Sequence, residues 1–257
     1  MSDYTAFSAQ WLPRVESALA ACMIQAAREL TIGKAGEYAL MGPGKRIRPL
    51  LTLMAADACG ADPETAMPAA MAVEMVHAFS LAHDDLPCMD NDDLRRGRPT
   101  THKVFGEAMG LLAGDALLAS AFQKLCLLPP KITAACVQEL SFATVMMVEG
   151  QAMDITESPD RDRLNGLKTG ALIVAALRMG AIVAGAEEKQ IEALTAYGRS
   201  LGLLFQITDD LLDGEAEEGA RKRANDLSLE AAATVKAFGV RAQHLRDLAA
   251  YLPTRDR

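Results

Sequence analysis

Five aspartates lie within the ten residues 84–93, and Arg95 and Arg96 follow at once. A charged run of this kind is most often a solvated loop. The preceding segment, 69–82, is however apolar with helical spacing, so these acids lie where a buried helix reaches the surface. Mg²⁺ prefers carboxylate oxygens and would relieve the repulsion among the like charges. The sequence therefore predicts a magnesium site at the end of this helix.

The geometry of this first acidic motif depends on Pro87. Asp84 and Asp90 are six residues apart, which would place them about 120° apart around a straight helix. Because proline disfavours the helical conformation of the residue before it, we expect the helix to distort near Leu86. A short loop can then carry Asp90 back towards Asp84.

A second acidic motif lies late in the chain. It consists of Asp209, Asp210 and Asp213, of which the first and last are one helical turn apart and share a face. Each motif stands at the end of a long apolar helix. This arrangement predicts two opposed walls that hold a polyanion bridged by magnesium.

A basic segment follows the helix break at 42–44 and contains Lys45, Arg46 and Arg48. Long basic side chains at a helix end often only cover apolar surface. The alternative is a phosphate clamp, in which Lys45 supplies a point charge and Arg48 binds through two parallel hydrogen bonds. His77 presents a similar choice, because a single histidine on an apolar helix is more often a hydrogen-bonded core residue than a ligand.

The composition favours helices packed on helices. Of the 257 residues, 50% are hydrophobic and 5% are aromatic, which suits one large helical core. The net charge of −8 argues against a general nucleic-acid binder. The five cysteines are odd in number and lack metal-type spacing, which indicates a reducing cytosol.

Targeting and membrane signals are weak. The N-terminal segment carries Asp3 and Glu16 and lacks the basic stretch and apolar core of a signal peptide. The late apolar run 171–186 contains Arg178 and is too short to span a bilayer. We therefore expect a soluble, cytoplasmic protein with no membrane insertion and no nucleic-acid partner.

The chain is organised as a series of helices without internal repeats or a clear linker. We predict one all-α domain over residues 1–257, a bundle of long helices around a central cavity. The predicted helices span 3–30, 50–59, 64–85, 107–128, 131–154, 168–185, 187–213 and 227–252, and the predicted loops span 97–106, 156–165 and 214–223.

The ordered set of motifs resembles the short-chain trans-prenyl diphosphate synthases, particularly the bacterial type of farnesyl diphosphate synthase. The resemblance covers nearly the whole chain and implies the isoprenoid synthase fold. It rests on the sequences Gly-Lys-Arg-Ile-Arg-Pro at 44–49, Asp-Asp-Leu-Pro-Cys-Met-Asp at 84–90, Leu-Arg-Arg-Gly at 94–97, Lys-Thr-Gly-Ala-Leu at 168–172 and Phe-Gln-Ile-Thr-Asp-Asp-Leu-Leu-Asp at 205–213.

The resemblance implies a reaction in which an allylic diphosphate ionises, isopentenyl diphosphate attacks the cation, and a proton is lost. It implies Mg²⁺, three ions per active site with Mn²⁺ as an alternative, and a homodimer. The metal ligands would be Asp84, Asp85, Asp90, Asp209, Asp210 and Asp213. Arg95, Lys168, Thr169 and Gln206 would lie at the allylic diphosphate. Lys45, Arg48, His77 and Arg96 would hold isopentenyl diphosphate. As neutral dipoles, Thr169 and Gln206 could stabilise the cation.

Product length would be set one helical turn before Asp84, at Phe79 and Ser80. By resemblance, an aromatic ring at Phe79 floors the pocket and suits a C15 product, farnesyl diphosphate. A smaller residue there suits the C20 product, geranylgeranyl diphosphate, which is the alternative with the same chemistry. Ordinary core packing of Phe79 is the competing interpretation, and we favour farnesyl diphosphate.

The sequence departs from the family pattern in two places. Pro43 replaces the first glycine of a pair, and the glycine-lysine loop that normally follows the second acidic motif is missing after Asp213. Lys222 is a weak candidate to replace its lysine. A non-catalytic scaffold subunit that binds prenyl diphosphates is therefore a rival interpretation. A calcium loop fails because Thr101 stands where a glutamate is needed, and a terpene cyclase would not need Lys45 and Arg48.

Overall fold

Apolar residues at helical spacing form twelve helices in the part of the chain that the computed structural model describes, residues 2–22, 31–156, 160–214 and 216–255. They are α1 (Asp3–Cys22), α2 (Thr31–Leu40), α3 (Ile47–Ala58), α4 (Met67–Asp84), α5 (Thr101–Phe105), α6 (Glu107–Leu125), α7 (Pro130–Ile155), α8 (Arg161–Asn165), α9 (Ala171–Val183), α10 (Glu188–Asp213), α11 (Ala220–Thr234) and α12 (Gln243–Tyr251). Short 3₁₀ helices span Pro63–Ala66, Lys236–Ala242 and Leu252–Thr254, and a π-helical turn spans Gly166–Gly170. The predicted all-α fold is confirmed.

Helix α4 lies at the centre of the bundle. It packs against α3 and α6, and α9 contacts both α3 and α4. Its alanines leave little side-chain volume between helices, so the neighbouring backbones come close. At Gly180 on α9 an added Cβ would lie 2.1 Å from the carbonyl oxygen of Thr52 on α3, so only glycine fits there. The first acidic motif is thus carried at the end of a largely buried helix.

Several predicted boundaries need correction. Helix α1 ends at Cys22 instead of residue 30, and residues 23–30 lie outside the described part of the chain. The predicted loop 97–106 contains α5 and half of a small hairpin, in which β1 (Leu94–Arg95) pairs antiparallel with β2 (Arg98–Pro99). The predicted loop 156–165 is helical over α8, and the loop predicted for 214–223 ends at the start of α11. The last predicted helix divides in two, because Gly239 has non-helical angles, φ 62° and ψ −140°.

The connection after the second acidic motif is short. Helix α10 ends at Gly214, which adopts the left-handed conformation with φ 77° that glycine accepts most easily. Helix α11 begins at Ala220, so six positions separate it from Asp213. Lys222, exposed in the first turn of α11, stays an untested candidate for the lysine of the missing loop.

Three helical stretches are long and apolar enough to cross a membrane by length and composition alone. They are Pro63–Asp84, Pro130–Ile155 and Arg163–Val183, whose most apolar windows are 72%, 28% and 50% buried within the fold. The late apolar run therefore belongs to a longer helical stretch than its sequence indicated. The stretch that contains α4 is mostly covered by other helices, whereas α7 leaves much of its apolar surface exposed.

Candidate active site

The first acidic motif folds back on itself as its sequence predicts. Helix α4 ends at Asp84, and the backbone N–H of Asp90 donates to the carbonyl oxygen of Asp84 at 2.9 Å. Asn91 completes the return with a positive φ of 54°. The loop between the aspartates also carries Cys88, whose side chain is exposed. The helix end and the return loop therefore bring two of the predicted ligands together.

Burial makes the charges of this motif costly. The pKa of Asp84 rises from its ordinary 3.8 to about 6, chiefly because the carboxyl is buried, and Asp90 and Asp85 add to the rise while Lys168 opposes it. Burial also raises the pKa of Asp85, although Arg95 opposes the rise by donating its Nε–H to Asp85 Oδ1 at 2.5 Å. A cation placed here would remove most of this cost.

The hairpin after the motif connects it to the basic segment. Arg96 occupies the turn between β1 and β2 with φ 53°, and its Nη1 donates to the carbonyl oxygen of Pro43 at 2.6 Å. A Cβ on Gly44 would lie 2.6 Å from that same guanidinium, so this glycine admits the arginine. Arg96, predicted as a substrate ligand, thus fixes the turn that begins the basic segment.

Arg46 organises the basic segment, although sequence analysis gave it no role. Its backbone has φ 49°, its side chain is buried, and it donates to Glu16 at 2.7 Å and to Glu74 at 3.0 Å. Lys45 and Arg48 line a cavity of about 690 Å³, and Arg46 and its partner Glu74 form part of the same wall. The Nε of Arg48 is buried and has no hydrogen-bond partner in the described part of the chain.

This cavity suits an anion. Burial and the nearby guanidinium groups of Arg255 and Arg96 lower the pKa of Lys45. Burial lowers the pKa of His77 well below its ordinary 6.5, and Arg48 and Arg96 lower it further, so His77 is neutral at physiological pH. Cations held together at this cost are stabilised when a polyanion arrives.

The second acidic motif meets the end of the chain. Arg255, which follows the last 3₁₀ helix, donates its Nη2–H to Asp209 Oδ1, and its guanidinium lies 5.3 Å from the ring centre of Phe205. Partial burial raises the pKa of Asp209 and Asp213 adds to the rise, while Arg255 opposes it. Gln206 Nε2 donates to Asp210 Oδ1 at 2.9 Å. Arg255 and Asp209 also line the 690 Å³ cavity, although they are far from the basic segment in the sequence.

The π turn places Lys168 and Thr169 at the cavities. Lys168 Nζ donates to Asp154 Oδ2 at 2.6 Å. A Cβ on Gly150 of α7 would lie 2.4 Å from the backbone nitrogen of Lys168, and one on Gly202 of α10 would lie 3.0 Å from the Cα of Gly170. The turn is therefore held between two neighbouring backbones that glycine allows to approach. π-helical turns of this kind are frequent at functional sites.

An apolar cavity of about 330 Å³ opens below Asp84. Phe79 and Ser80 both line it, as the product-length hypothesis requires. The ring of Phe79 stacks edge-on with that of His83, with 4.8 Å between their centres. The hydroxyl of Ser80 donates to the carbonyl oxygen of His77 at 2.9 Å, so Ser80 presents little polarity to the cavity. Thr169 lines both this cavity and the larger cationic one.

The carboxylates fit magnesium by donor type. Asp84 is a hard oxygen donor, and burial raises the pKa of its carboxyl to about 6, so that a bound cation would favour its ionised form. Among the described residues, however, no group of three His, Cys, Asp or Glu side chains is already gathered in a metal-binding arrangement. The predicted ligand set, Asp84, Asp85, Asp90, Asp209, Asp210 and Asp213, therefore stays a prediction.

Besides Arg46, four residues at or near the site were missed by sequence analysis. Glu74 is buried within an apolar helix, and a buried acid of this kind requires a cationic partner, which was an available signal. Gln151 donates weakly, at 3.5 Å, to Asp90 Oδ1. Arg255 and Gly150 gave no local signal, because both act through contacts between distant parts of the chain.

Comparison with known proteins identifies the family of this chain. The sequence pattern of the polyprenyl synthetase family matches residues 29–250. The chain belongs to the polyprenyl synthetase family. Geranylgeranyl pyrophosphate synthase 9, a chloroplastic protein of Arabidopsis thaliana, is 49% identical over 202 residues, which cover 72% of this chain and 56% of the relative. The chain spans between half and two thirds of the length of the curated relatives it matches.

Solved structures of the polyprenyl synthetase type share the whole fold. An FPP/GFPP synthase from Zymomonas mobilis, in its apo form, superposes with a TM-score of 0.90 at 36% identity and covers 98% of this chain and 99% of its own. A geranyltransferase from Legionella pneumophila has a TM-score of 0.89 at 34% identity, over 98% of this chain and 97% of its own. The predicted isoprenoid synthase fold is therefore confirmed.

Proposed function

We propose that this protein is a magnesium-dependent trans-prenyltransferase that joins isopentenyl diphosphate head-to-tail to an allylic diphosphate. The observation that carries the proposal is the position of two neighbouring cavities. One is lined by Lys45, Arg48 and His77, and the other is apolar and begins beside Asp84. Arg48, His77 and Thr169 line both of them. A diphosphate head and a prenyl chain need these two environments side by side.

The residues divide the work of the reaction. Lys45 and Arg48 bind the diphosphate of isopentenyl diphosphate, and neutral His77 donates a hydrogen bond without adding charge. Lys168 and Arg95 neutralise the departing diphosphate, whose charge grows as the carbon–oxygen bond breaks. When bound, Mg²⁺ ions supply further positive charge to the leaving group. Thr169 and Gln206 direct neutral dipoles towards the developing cation, which keeps it stable without providing a nucleophile.

Exclusion of water is the second requirement, because water would convert an allylic cation into an alcohol. The apolar cavity offers Phe79, Met89 and Met147 to the growing chain. Its residues Val148 and Ile155 are 51% and 54% exposed, so one wall opens onto the surface of α7. Something must cover this wall during the reaction.

We propose that a second copy of the chain provides the cover, as a homodimer. Besides Val148 and Ile155, α6 and α7 expose further apolar residues, among them Leu111, Leu112 and Val145. A patch of this kind marks an interaction surface. Sedimentation velocity should give a dimer for the wild type and a monomer for the Leu112→Glu/Val145→Glu variant. A wild type that sediments as a monomer would remove this proposal.

Two products compete. Phe79 lines a cavity of 330 Å³, a volume near the small end of the roughly 300–1,000 Å³ range of ligand pockets, and this favours farnesyl diphosphate. The names of the plant relatives, which are geranylgeranyl pyrophosphate synthases, favour the C20 product. We propose farnesyl diphosphate as the main product and geranylgeranyl diphosphate as the second candidate.

A product assay tests both levels of the proposal. Purified protein is incubated with Mg²⁺, isopentenyl diphosphate and dimethylallyl diphosphate, and the dephosphorylated products are separated by chromatography. Farnesol as the main alcohol supports the C15 proposal, and geranylgeraniol supports the alternative. If the substrates bind in the presence of Mg²⁺ but no alcohol with a longer chain than those of the substrates is formed, the chain is a non-catalytic scaffold subunit.

Substitution of Phe79 sharpens the choice of product. Phe79→Ala should lengthen the main product by at least one isoprene unit, because the floor of the cavity is removed. Leu81→Ala is a matched control on the same helix, since Leu81 lines the same cavity but lies closer to Asp84 along α4. An unchanged product from Phe79→Ala would assign this ring to core packing. The cytoplasmic location and the lack of a nucleic-acid partner stay predictions.

A further inference from the structure

A third large cavity lies outside the catalytic region. It has a volume of about 860 Å³ and is bounded by α7, α9, α10 and the π turn. We call it the outer groove. Gly166, Leu167 and Gly170 of the π turn line it, whereas Lys168 and Thr169 of the same turn line the catalytic cavities. One five-residue turn therefore contributes to both spaces.

The floor and one rim of the outer groove are apolar. Met146, Val174 and Leu203 come from three different helices and line the groove together. Phe142 on α7 also lines it and is 65% exposed. The groove thus offers a long apolar surface of the size that ligand pockets have.

The charged residues of the outer groove favour an anion. Arg178 donates to both carboxylate oxygens of Glu139 at 2.7 Å, so these two charges cancel. Glu139 is the one acidic residue among the described residues that line the groove. Arg163 and Arg199 are exposed and provide two further positive charges. Arg163 and Arg199 therefore lie beside the apolar floor without an acidic partner among the described residues that line the groove, in a chain with a net charge of −8.

We propose that the outer groove binds an amphipathic anion of the prenyl diphosphate class and that its occupation changes the activity of the catalytic site. The diphosphate would pair with Arg163 and Arg199, which lie on helices α8 and α10 that contact each other. The prenyl chain would lie over Val174 and against Phe142. The choice of ligand rests on the proposed function, because this class of molecule is what the catalytic site would release.

The π turn provides the route between the two sites. Its backbone is enclosed by Gly150 and Gly202, whose missing side chains leave no spare room around it. A chain that presses on Leu167 from the outer groove therefore moves Lys168 and Thr169 instead of compressing the turn. Lys168 acts on the leaving diphosphate, so a small displacement changes the turnover rate more than the binding of either substrate.

The proposal is tested with a photoreactive, benzophenone-bearing analogue of farnesyl diphosphate and mapping of the labelled peptides by mass spectrometry. The wild type should be labelled in two places, at α4 near Phe79 and at α10 near Leu203. The Arg163→Glu/Arg199→Glu variant should lose the second label by about tenfold or more, the effect of losing charge-assisted hydrogen bonds. The Lys131→Glu/Lys236→Glu variant, with equal charge change at exposed positions outside the groove, should keep both.

A kinetic experiment measures the effect of the outer groove on the catalytic site. With both substrates saturating, added farnesyl diphosphate cannot compete at the catalytic site, so any change in kcat comes from elsewhere. The wild type should show such a change, and the Arg163→Glu/Arg199→Glu variant should not, while its basal kcat and KM stay within about twofold of the wild type. Circular dichroism verifies that both double variants are folded.

The outcomes separate the two proposals. Labelling at α4 alone, or labelling near Leu203 that survives the double charge reversal, overturns the outer-groove proposal whatever the enzyme's activity. If no condensation occurs but both labels appear, the proposed catalytic function fails and the binding site stands. If the double reversal instead converts a dimer into a monomer and no label reaches Leu203, a second copy occupies the groove and the proposal is wrong.

Discussion

The two acidic motifs each hold one arginine, but with opposite patterns of burial. At the first motif the side chain of Asp85 is 5% exposed and that of its partner Arg95 is 31% exposed. At the second motif the partner Arg255 is 5% exposed and Asp209 is 56% exposed. In the first pair the acid is fixed in the fold, and in the second pair the base is fixed.

This difference indicates which group is free to move when a diphosphate arrives. Arg95 lies on a two-residue strand of a small hairpin and can leave Asp85 for a phosphate without disturbing the core. Asp209 can leave Arg255 for a cation, since water already reaches its carboxylate. Each pair thus releases one partner towards the cavity and keeps the other in place.

The largest expected effect separates the two motifs by activity. Asp84→Asn should lower kcat by about 10²–10³-fold, the loss that follows removal of one group from a preorganised electrostatic site. Asp213→Asn should lower kcat by about tenfold or less, because Asp213 is exposed at the end of α10. Steady-state assays with saturating Mg²⁺ measure both. Equal losses would show that the two motifs contribute alike.

Substitution of the two arginines should affect the stability of the protein to different extents. Arg95→Gln leaves a buried carboxylate without its charged partner, which should cost about 1–3 kcal/mol of the free energy of unfolding. Arg255→Gln leaves Asp209 in contact with water and should cost less than about 1 kcal/mol. Urea denaturation monitored by circular dichroism gives both values. A larger cost at Arg255 would reverse the assignment of the fixed partner.

The smallest effect concerns pH. Because the pKa of Asp84 is raised from 3.8 to about 6 in the folded protein, its ionised form destabilises the fold above pH 6. This penalty decreases as the pH falls from 6 towards 4, where the folded protein takes up a proton before the unfolded chain does. Asp84→Asn should therefore raise the Tm of the metal-free protein by about 2–4 °C at pH 7.5.

The control for this prediction is the same comparison at low pH. Near pH 4 the two proteins should melt at the same temperature, since Asp84 is then protonated in the fold and carries no penalty. Differential scanning calorimetry across this pH range provides the measurement. If the Tm of Asp84→Asn is still higher than that of the wild type at pH 4, the difference must come from packing instead of charge.

The sequence was sufficient to predict the features that depend on residues close together in the chain. Helical spacing predicts the long helices, and Pro87 predicts the return of Asp90 to Asp84, because both depend on neighbouring residues. The family motifs identify Lys168 and Thr169, which the structure places at the cavities. The magnesium ligand set and the dimer could be predicted but are tested by none of these observations.

The remaining features depend on backbone conformations and contacts that no local pattern encodes. Arg46 stands in the middle of a basic segment, and nothing in that segment indicates its positive φ or its pairing with Glu16 and Glu74. Arg255 reaches Asp209 across 46 positions of sequence. Gly150 appears ordinary in the sequence, yet its missing side chain admits the π turn.

The exposed thiol of Cys88 allows a covalent label to be attached at the first acidic motif. Burial raises the pKa of Cys59 to about 11 and that of Cys136 to about 12, and it also raises that of Cys22, so these three react slowly at neutral pH. Cys126 is the other exposed cysteine among the described residues. In a Cys126→Ser background, a maleimide dye would therefore attach beside the aspartates and report by its fluorescence when a diphosphate enters.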